Sequence, residues 1–146
     1  MAERAGHVGL VILLACVGAA YQGIGKWRDA RRFPKGRIVQ AGPIKMNIDC
    51  TGTGSPIVIL EQGGGMRAAG WMKVQPQMAR FTRVCSYDRA GYGWSDPGPM
   101  PRTIPRMANA LKALLDASGE KSPYVMVAAS LGGRIDRGVT PKGKSR

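Results

Sequence analysis

Hydrophobic and polar positions follow several different periods along this chain. From Val8 to Ile24 the sequence VGLVILLACVGAAYQGI runs for 17 residues without a charge, at the short end of what crosses a hydrocarbon core as a helix. Beyond Arg37 the period falls to two. Arg37-Ile38-Val39-Gln40 and Ile44-Lys45-Met46-Asn47-Ile48-Asp49-Cys50 flank Ala41-Gly42-Pro43 and predict a β-hairpin. Pro56-Ile57-Val58-Ile59-Leu60-Glu61 and Tyr124-Val125-Met126-Val127-Ala128 are near-continuous apolar runs, the pattern of strands buried on both faces, and Thr82 to Tyr87 has strand character as well. Helical spacing appears in between. Trp71, Val74, Met78 and Phe81 predict a helix over 71–81 in which Pro76 is tolerated only early. Ile104, Met107, Leu111, Leu114 and Leu115 form one stripe from Thr103 to Ala117, with Pro105 in the first turn and Gly119 placed to end it. Buried strands alternating with helices predict an α/β fold: an N-terminal hairpin, then parallel strands with crossover helices, all preceded by an N-terminal transmembrane helix.

Charge refines the reading of the apolar segment. Lys26-Trp27-Arg28-Asp29-Ala30-Arg31-Arg32 follows it, whereas only Arg4 and His7 precede it and Glu3 offsets Arg4. The positive-inside bias therefore puts the body on the cytoplasmic side of a single-pass anchor, with Tyr21 and Trp27 near headgroup level. A cleaved signal cut near Gly18-Ala19-Ala20, a lipoprotein signal at Leu13-Leu14-Ala15-Cys16 and a buried core helix compete with this reading, and the first two would export the body. The chain divides into a tip (1–7), an anchor (8–25), a basic linker (26–36), a partial domain (37–133) and a basic tail (134–146). The tail is expected to lack structure, because Gly138 and Pro141 oppose a long helix and no apolar stripe is present.

The net charge of +13 invites a nucleic-acid reading, but between Ile38 and Gly133 there are ten basic and six acidic side chains, and the flanks hold twelve against three. A basic face on the folded domain is not what this distribution describes, so no nucleic-acid partner is expected and anionic lipid is the favoured anion. Cys16, Cys50 and Cys85 have neither CxxC spacing nor His neighbours. They read as buried apolar residues of a reducing compartment, and no metal or cofactor is expected.

The strand ending at Ala128 runs straight into Ala129-Ser130-Leu131-Gly132-Gly133. A serine between a buried strand and a glycine turn is where a sharp bend lifts a hydroxyl out of a sheet. The usual G-x-S-x-G reads here as Ala128-Ala129-Ser130-Leu131-Gly132, with a small residue in place of the first glycine. On its own, the pattern occurs often by chance and reads better as an ordinary turn serine. Together with the run QPQMARFTRVCSYDRAGYGWSDPGPMPRT, however, the chain resembles the α/β-hydrolase family from about Gly36 to Gly133, and specifically bacterial members with an apolar N-terminal helix. The resemblance implies a serine hydrolase acting on small acyl esters or amides, with Ser130 as nucleophile and the backbone N–H groups of Leu131 and Gly64 as oxyanion donors. Glu61-Gln62-Gly63-Gly64-Gly65 takes the place of the family's His-Gly segment. Asp88, Arg89 and Ser95 match the D-R-x-G-x-G-x-S loop and are expected to tie it to the sheet, while Trp71 and Trp94 either line a pocket or pack.

In the family the order is Ser, then Asp or Glu, then His. The single histidine is His7, Asp136 is too close to Ser130 to come from a later strand, and sixteen residues follow Ser130. The expectation is a truncated form with an incomplete sheet, without the acid and His of the triad, whose edge invites a completing chain. General-base help contributes about 10²- to 10⁴-fold, so activity of its own should be severely impaired. The alternative is a non-catalytic, membrane-tethered binding or assembly module.

Overall fold

The computed structural model describes residues 2–30 and 36–139 and forms two compact units, residues 1–33 and 34–146. In the first, helix α1 spans Ala2–Ala30, 29 residues or about 44 Å, longer than a hydrocarbon core of roughly 30 Å. Its apolar window, His7–Gly25, has a mean hydropathy of 1.9 over 19 residues and is long and apolar enough to cross a membrane. The helix continues past 25, through the first half of the expected linker, because no glycine or proline interrupts Lys26 to Ala30. Residues 31–35 of that linker lie outside the described residues.

The second unit is built on a five-stranded sheet, β1 (Arg37–Ala41), β2 (Ile44–Thr51), β3 (Ile57–Glu61), β4 (Val84–Tyr87) and β5 (Tyr124–Ala128), in the order β1-β2-β4-β3-β5. The predicted hairpin is present with Arg37 opposite Ile48, and Gly42 supplies the positive φ (61°) that a two-residue hairpin turn requires. β2 pairs antiparallel with β4, and β3 pairs parallel with both β4 and β5. Parallel neighbours need crossovers. The chain passes from β4 to β5 through α3 (Ile104–Ser118), which has Pro in its first turn and ends at Gly119 in the left-handed region with φ 74°. Leu111, Leu114 and Leu115 of α3 pack against Met46, Ile48, Ile59 and Tyr87 to form the larger core.

Two elements differ from expectation. The helix predicted over 71–81 contracts to a 3-10 turn, Ala68–Trp71, and a single-turn helix, α2 (Gln75–Met78). Trp71 and Met78 do pack against Val58, Leu60 and Val84 on the second face of the sheet, whereas Val74 and Phe81 are 41% and 88% exposed. Only half of the apparent stripe is a buried face. Conversely, 134–139 is not an unstructured tail, because α4 spans Gly132–Val139. Ile135 on it is fully buried, and a Cβ at Gly138 would stand 2.8 Å from the Ala108 side chain. Gly138 thus lets α4 approach α3 closely, which offsets its low helix propensity. Residues 140–146 of the expected tail lie outside the described residues.

The β2–β4 register sets Cys50 opposite Cys85, and the two form a disulfide with their Cα atoms 4.0 Å apart. The expectation of unpaired cysteines therefore fails for this pair, although Cys85 is buried as expected. They stand 35 positions apart in the sequence, and only the strand pairing brings them together.

Candidate active site

The site begins where β5 ends. Ala129 N–H donates to the Glu61 carbonyl at 3.0 Å, extending the β3–β5 ladder to the bend, and Ser130 then turns to φ 51°, the one non-glycine residue of positive φ among the described residues. Such a conformation costs about 1–3 kcal/mol and persists where its surroundings enforce it. Behind it the amides of Gly132, Gly133 and Arg134 donate to Ala129, Ser130 and Leu131 at 2.9–3.1 Å, so α4 starts directly from the bend. Gly132 is enforced by contact: a Cβ there would lie 2.6 Å from Glu61 Cγ and 3.0 Å from the Glu61 and Gln62 carbonyl oxygens. The result is an exposed serine at the tip of a strand-turn-helix.

The glycine loop after β3 lies against this turn. A Cβ on Gly63 would meet Ser130 Cβ at 3.6 Å, and one on Gly64 would meet Leu131 Cδ2 at 3.7 Å. Among the described residues, neither the Gly64 nor the Leu131 amide donates to a protein acceptor. Two amides without acceptors thus flank the serine.

Beneath the loop is a buried polar cluster. Arg89 Nη1 donates to Glu61 Oε1 at 2.9 Å and to the Gln62 carbonyl at 2.7 Å, and Nη2 donates to the Gly63 carbonyl. Tyr87 donates its hydroxyl to the other Glu61 oxygen, and Gln62 Nε2 donates to the Tyr87 carbonyl at 2.7 Å. Burial pushes the Glu61 carboxyl above its ordinary pKa, against the pull of Tyr87 and Arg89. Burial, then the neighbouring Glu61 charge, also hold the Tyr87 phenol well up.

The loop after β4 is fastened to β2, as its tying role requires. Asp88 accepts from Asn47 Nδ2 at 3.0 Å and from the Ala68 amide at 2.8 Å, and Ser95 donates to the Asp88 carbonyl at 2.6 Å while accepting from the Asn47 amide at 2.9 Å. Gly93, at φ 53°, leaves room for the Asp88 carboxylate, which a Cβ would approach to 2.3 Å.

A cavity of about 540 Å³ opens beside the elbow, lined by Ile44, Met46, Tyr92, Arg102, Met107 and Leu131 among others. A smaller one of about 180 Å³ lies between the glycine loop and Trp71, which both lines it and packs on the sheet. Trp94 lines neither cavity. His7 is on α1, in the other unit. The sulfurs of Cys50 and Cys85 and a Glu120 oxygen lie within 4.8 Å of one another. They make a poor metal set, since the sulfurs are bonded to each other and Arg83 holds Glu120 through both carboxylate oxygens.

The expected site residues Ser130, Leu131 and Gly64 lie together at this turn, while the sequence attached no role to Glu61 or Tyr87. The available signal was a glutamate closing an otherwise apolar strand, which needs a partner when buried.

Residues 56–136 match the model of the alpha/beta hydrolase fold family. A probable transporter, efuK, of Hormonema carpetanum is 39% identical over 82 residues, covering 55% of this chain and 12% of that protein. The 2-hydroxy-6-oxo-2,4-heptadienoate hydrolase of Pseudomonas putida is 33% identical over 103 residues, covering 68% of this chain and 37% of the enzyme. Among solved structures, a serine hydrolase involved in carbazole degradation, the CarC enzyme, superposes with a TM-score of 0.64 at 30% identity, over 70% of this chain and 41% of that one. The chain thus spans well under half the length of each of these proteins.

Proposed function

Since the chain belongs to the α/β-hydrolase family, we propose that it carries the nucleophile and oxyanion half of a serine hydrolase for small acyl esters or amides. Ser130 is the nucleophile, and the Gly64 and Leu131 amides stabilise the oxygen that becomes negative as the acyl carbonyl turns tetrahedral. The observation that carries this reading is the positive φ of Ser130 at the end of β5, with two amides lacking acceptors beside it. Fixed amides aimed at a developing oxyanion are a large catalytic term, and losing one costs about 3–4 kcal/mol. The acyl portion has room in the cavity against Leu131. A serine hydroxyl still needs a base; in the family that base is a histidine later in the chain than the serine, and the histidine of this sequence, His7, precedes Ser130. The chain alone should therefore react slowly, by about 10²- to 10⁴-fold for the base.

The body is tethered to a membrane by α1, a reading supported by the length and hydropathy of His7–Gly25 and by the cationic stretch that follows. The positive-inside bias of that stretch favours a cytoplasmic body. The Cys50–Cys85 bond favours the opposite, exported side.

One experiment tests both the nucleophile and the anchor: a fluorophosphonate probe added to alkaline-washed membranes of cells expressing the full chain, beside Ser130→Ala. A slowly forming labelled band in the pellet, lost in the alanine variant, is expected. A band that survives Ser130→Ala sinks the nucleophile assignment, and chain released into the wash sinks the anchor. A folded, unlabelled chain would leave the binding or assembly module as the better account.

A further inference from the structure

The Gly63-Gly64-Gly65 loop has no side chain with which to fix itself, yet an oxyanion donor acts only if its N–H points steadily at the reacting oxygen. Within the backbone the loop has one long bond, Met66 N–H to the Gly63 carbonyl at 3.5 Å. The remaining restraint comes from below. Arg89, 4% exposed, donates to the Gln62 carbonyl at 2.7 Å and to the Gly63 carbonyl, and its charge is matched by Glu61 at 2.9 Å. Glu61 is in turn held by the Tyr87 hydroxyl, and the Tyr92 ring lies 5.3 Å from the guanidinium carbon. In a trans peptide the carbonyl of one residue and the N–H of the next point in opposite directions. Drawing the Gly63 oxygen toward Arg89 therefore turns the Gly64 N–H away from Arg89.

We propose that Arg89 is a positioning residue of the oxyanion site: with Glu61 as its buried counter-ion, it orients the Gly63–Gly64 peptide and so aims the Gly64 N–H at the acyl oxygen on Ser130. The inference rests on the reading of Gly64 as a donor and goes beyond it by naming what holds that donor. It also gives a reason for arginine. Bonds to a carboxylate and two carbonyls need a planar fork, and the single ammonium of lysine cannot reproduce it.

The test uses the full chain, isotope-labelled in detergent micelles, as wild type, Arg89→Lys and Ser95→Ala. Ser95→Ala loosens the loop after β4, which carries Arg89, without touching Gly63. With Arg89→Lys the Gly63 carbonyl and Gly64 amide resonances should move, and the Gly64 order parameter should fall from about 0.85 to below about 0.6. Ala129 and Cys85 should stay as in wild type, and Ser95→Ala should leave Gly64 unchanged. Fluorophosphonate labelling of Ser130 should slow about 10²-fold in Arg89→Lys, as when an oxyanion donor is lost. A Gly64 amide with wild-type shift and order in folded Arg89→Lys overturns the inference whatever the labelling does. A wild-type chain that never labels at Ser130 overturns the nucleophile reading instead, and the Gly64 signals still decide this one. If Arg89→Lys does not fold, Glu61→Gln, which keeps the shape and removes the counter-charge, is expected to give the same loosening at Gly64, and an unmoved Gly64 there counts against the proposal.

Discussion

Gly132 and Gly133 are neighbours behind the nucleophile, yet only one of them has to be glycine. A Cβ at Gly132 would sit 2.6 Å from Glu61 Cγ with backbone oxygens at 3.0 Å, whereas one at Gly133 meets nothing within 4 Å. Gly132→Ala should lower stability by about 1–3 kcal/mol through overpacking. Gly133→Ala, inside α4, should raise it by about 0.5–1 kcal/mol by removing glycine's entropic penalty. Denaturant midpoints of the two variants check this, and equal effects would contradict the contact geometry. At this scale the bend at Ser130 and the glycine two positions on were legible, because small residues on either side of a serine at a strand end mark a sharp bend within a few positions of sequence, whereas the pairing of the Gly64 and Leu131 amides came only from the family resemblance. The Glu61–Tyr87–Arg89 cluster was not legible: a glutamate closing an apolar strand signals that a partner is needed but not which one, and the three meet only when β3 and β4 lie side by side.

Elements were read well where periodicity agreed with burial and poorly where it did not. α3 has a full stripe, a first-turn proline and a terminal glycine, all of which act as read. The segment 71–81 has the spacing but exposes Val74 and Phe81, while α4 has little stripe and is secured by Ile135 and by Gly138 against α3. Between elements, Glu120 just beyond α3 receives Arg83, just ahead of β4, at 2.6 and 2.7 Å, with Arg37 of β1 at 3.6 Å. The Arg83 hydrogen bonds, ahead of the charge of Arg83 and then Arg37, hold the Glu120 carboxyl below its ordinary value of 4.5. A carboxyl depressed in the folded state contributes stability at pH above its unfolded pKa and loses it as pH falls through the folded one. Wild type should therefore weaken progressively below pH 4.5. Glu120→Gln should be weaker by about 1–2 kcal/mol at neutral pH, the lower end for charge-assisted bonds because Arg83 is partly solvated, and flatter on the acid side. Urea midpoints at several pH values measure both, and parallel acid limbs would show that Glu120 carries none of the linkage.

Over the whole molecule, the charge distribution and the order of strands and helices were legible, since they depend on composition and period. The Cys50–Cys85 bond was not, because it requires the antiparallel β2–β4 register that no local pattern encodes. It also bears on topology. A bond closing 35 residues removes loop entropy from the unfolded chain worth about 4 kcal/mol, and it lasts only where thiols are not kept reduced. A body on the exported side keeps the bond, and a cytoplasmic body loses it. Denaturing the chain directly from its cells in the presence of maleimide, with and without prior reduction, separates the two. One label per chain, on Cys16, rising to three after reduction is expected if the bond forms in the cell, and reduced protein should then unfold at lower denaturant by an amount that reflects the lost constraint. Three labels without reduction would place the body in a reducing compartment, in line with the cationic flank, and the sheet would then rest on its packed core without a covalent tie between β2 and β4.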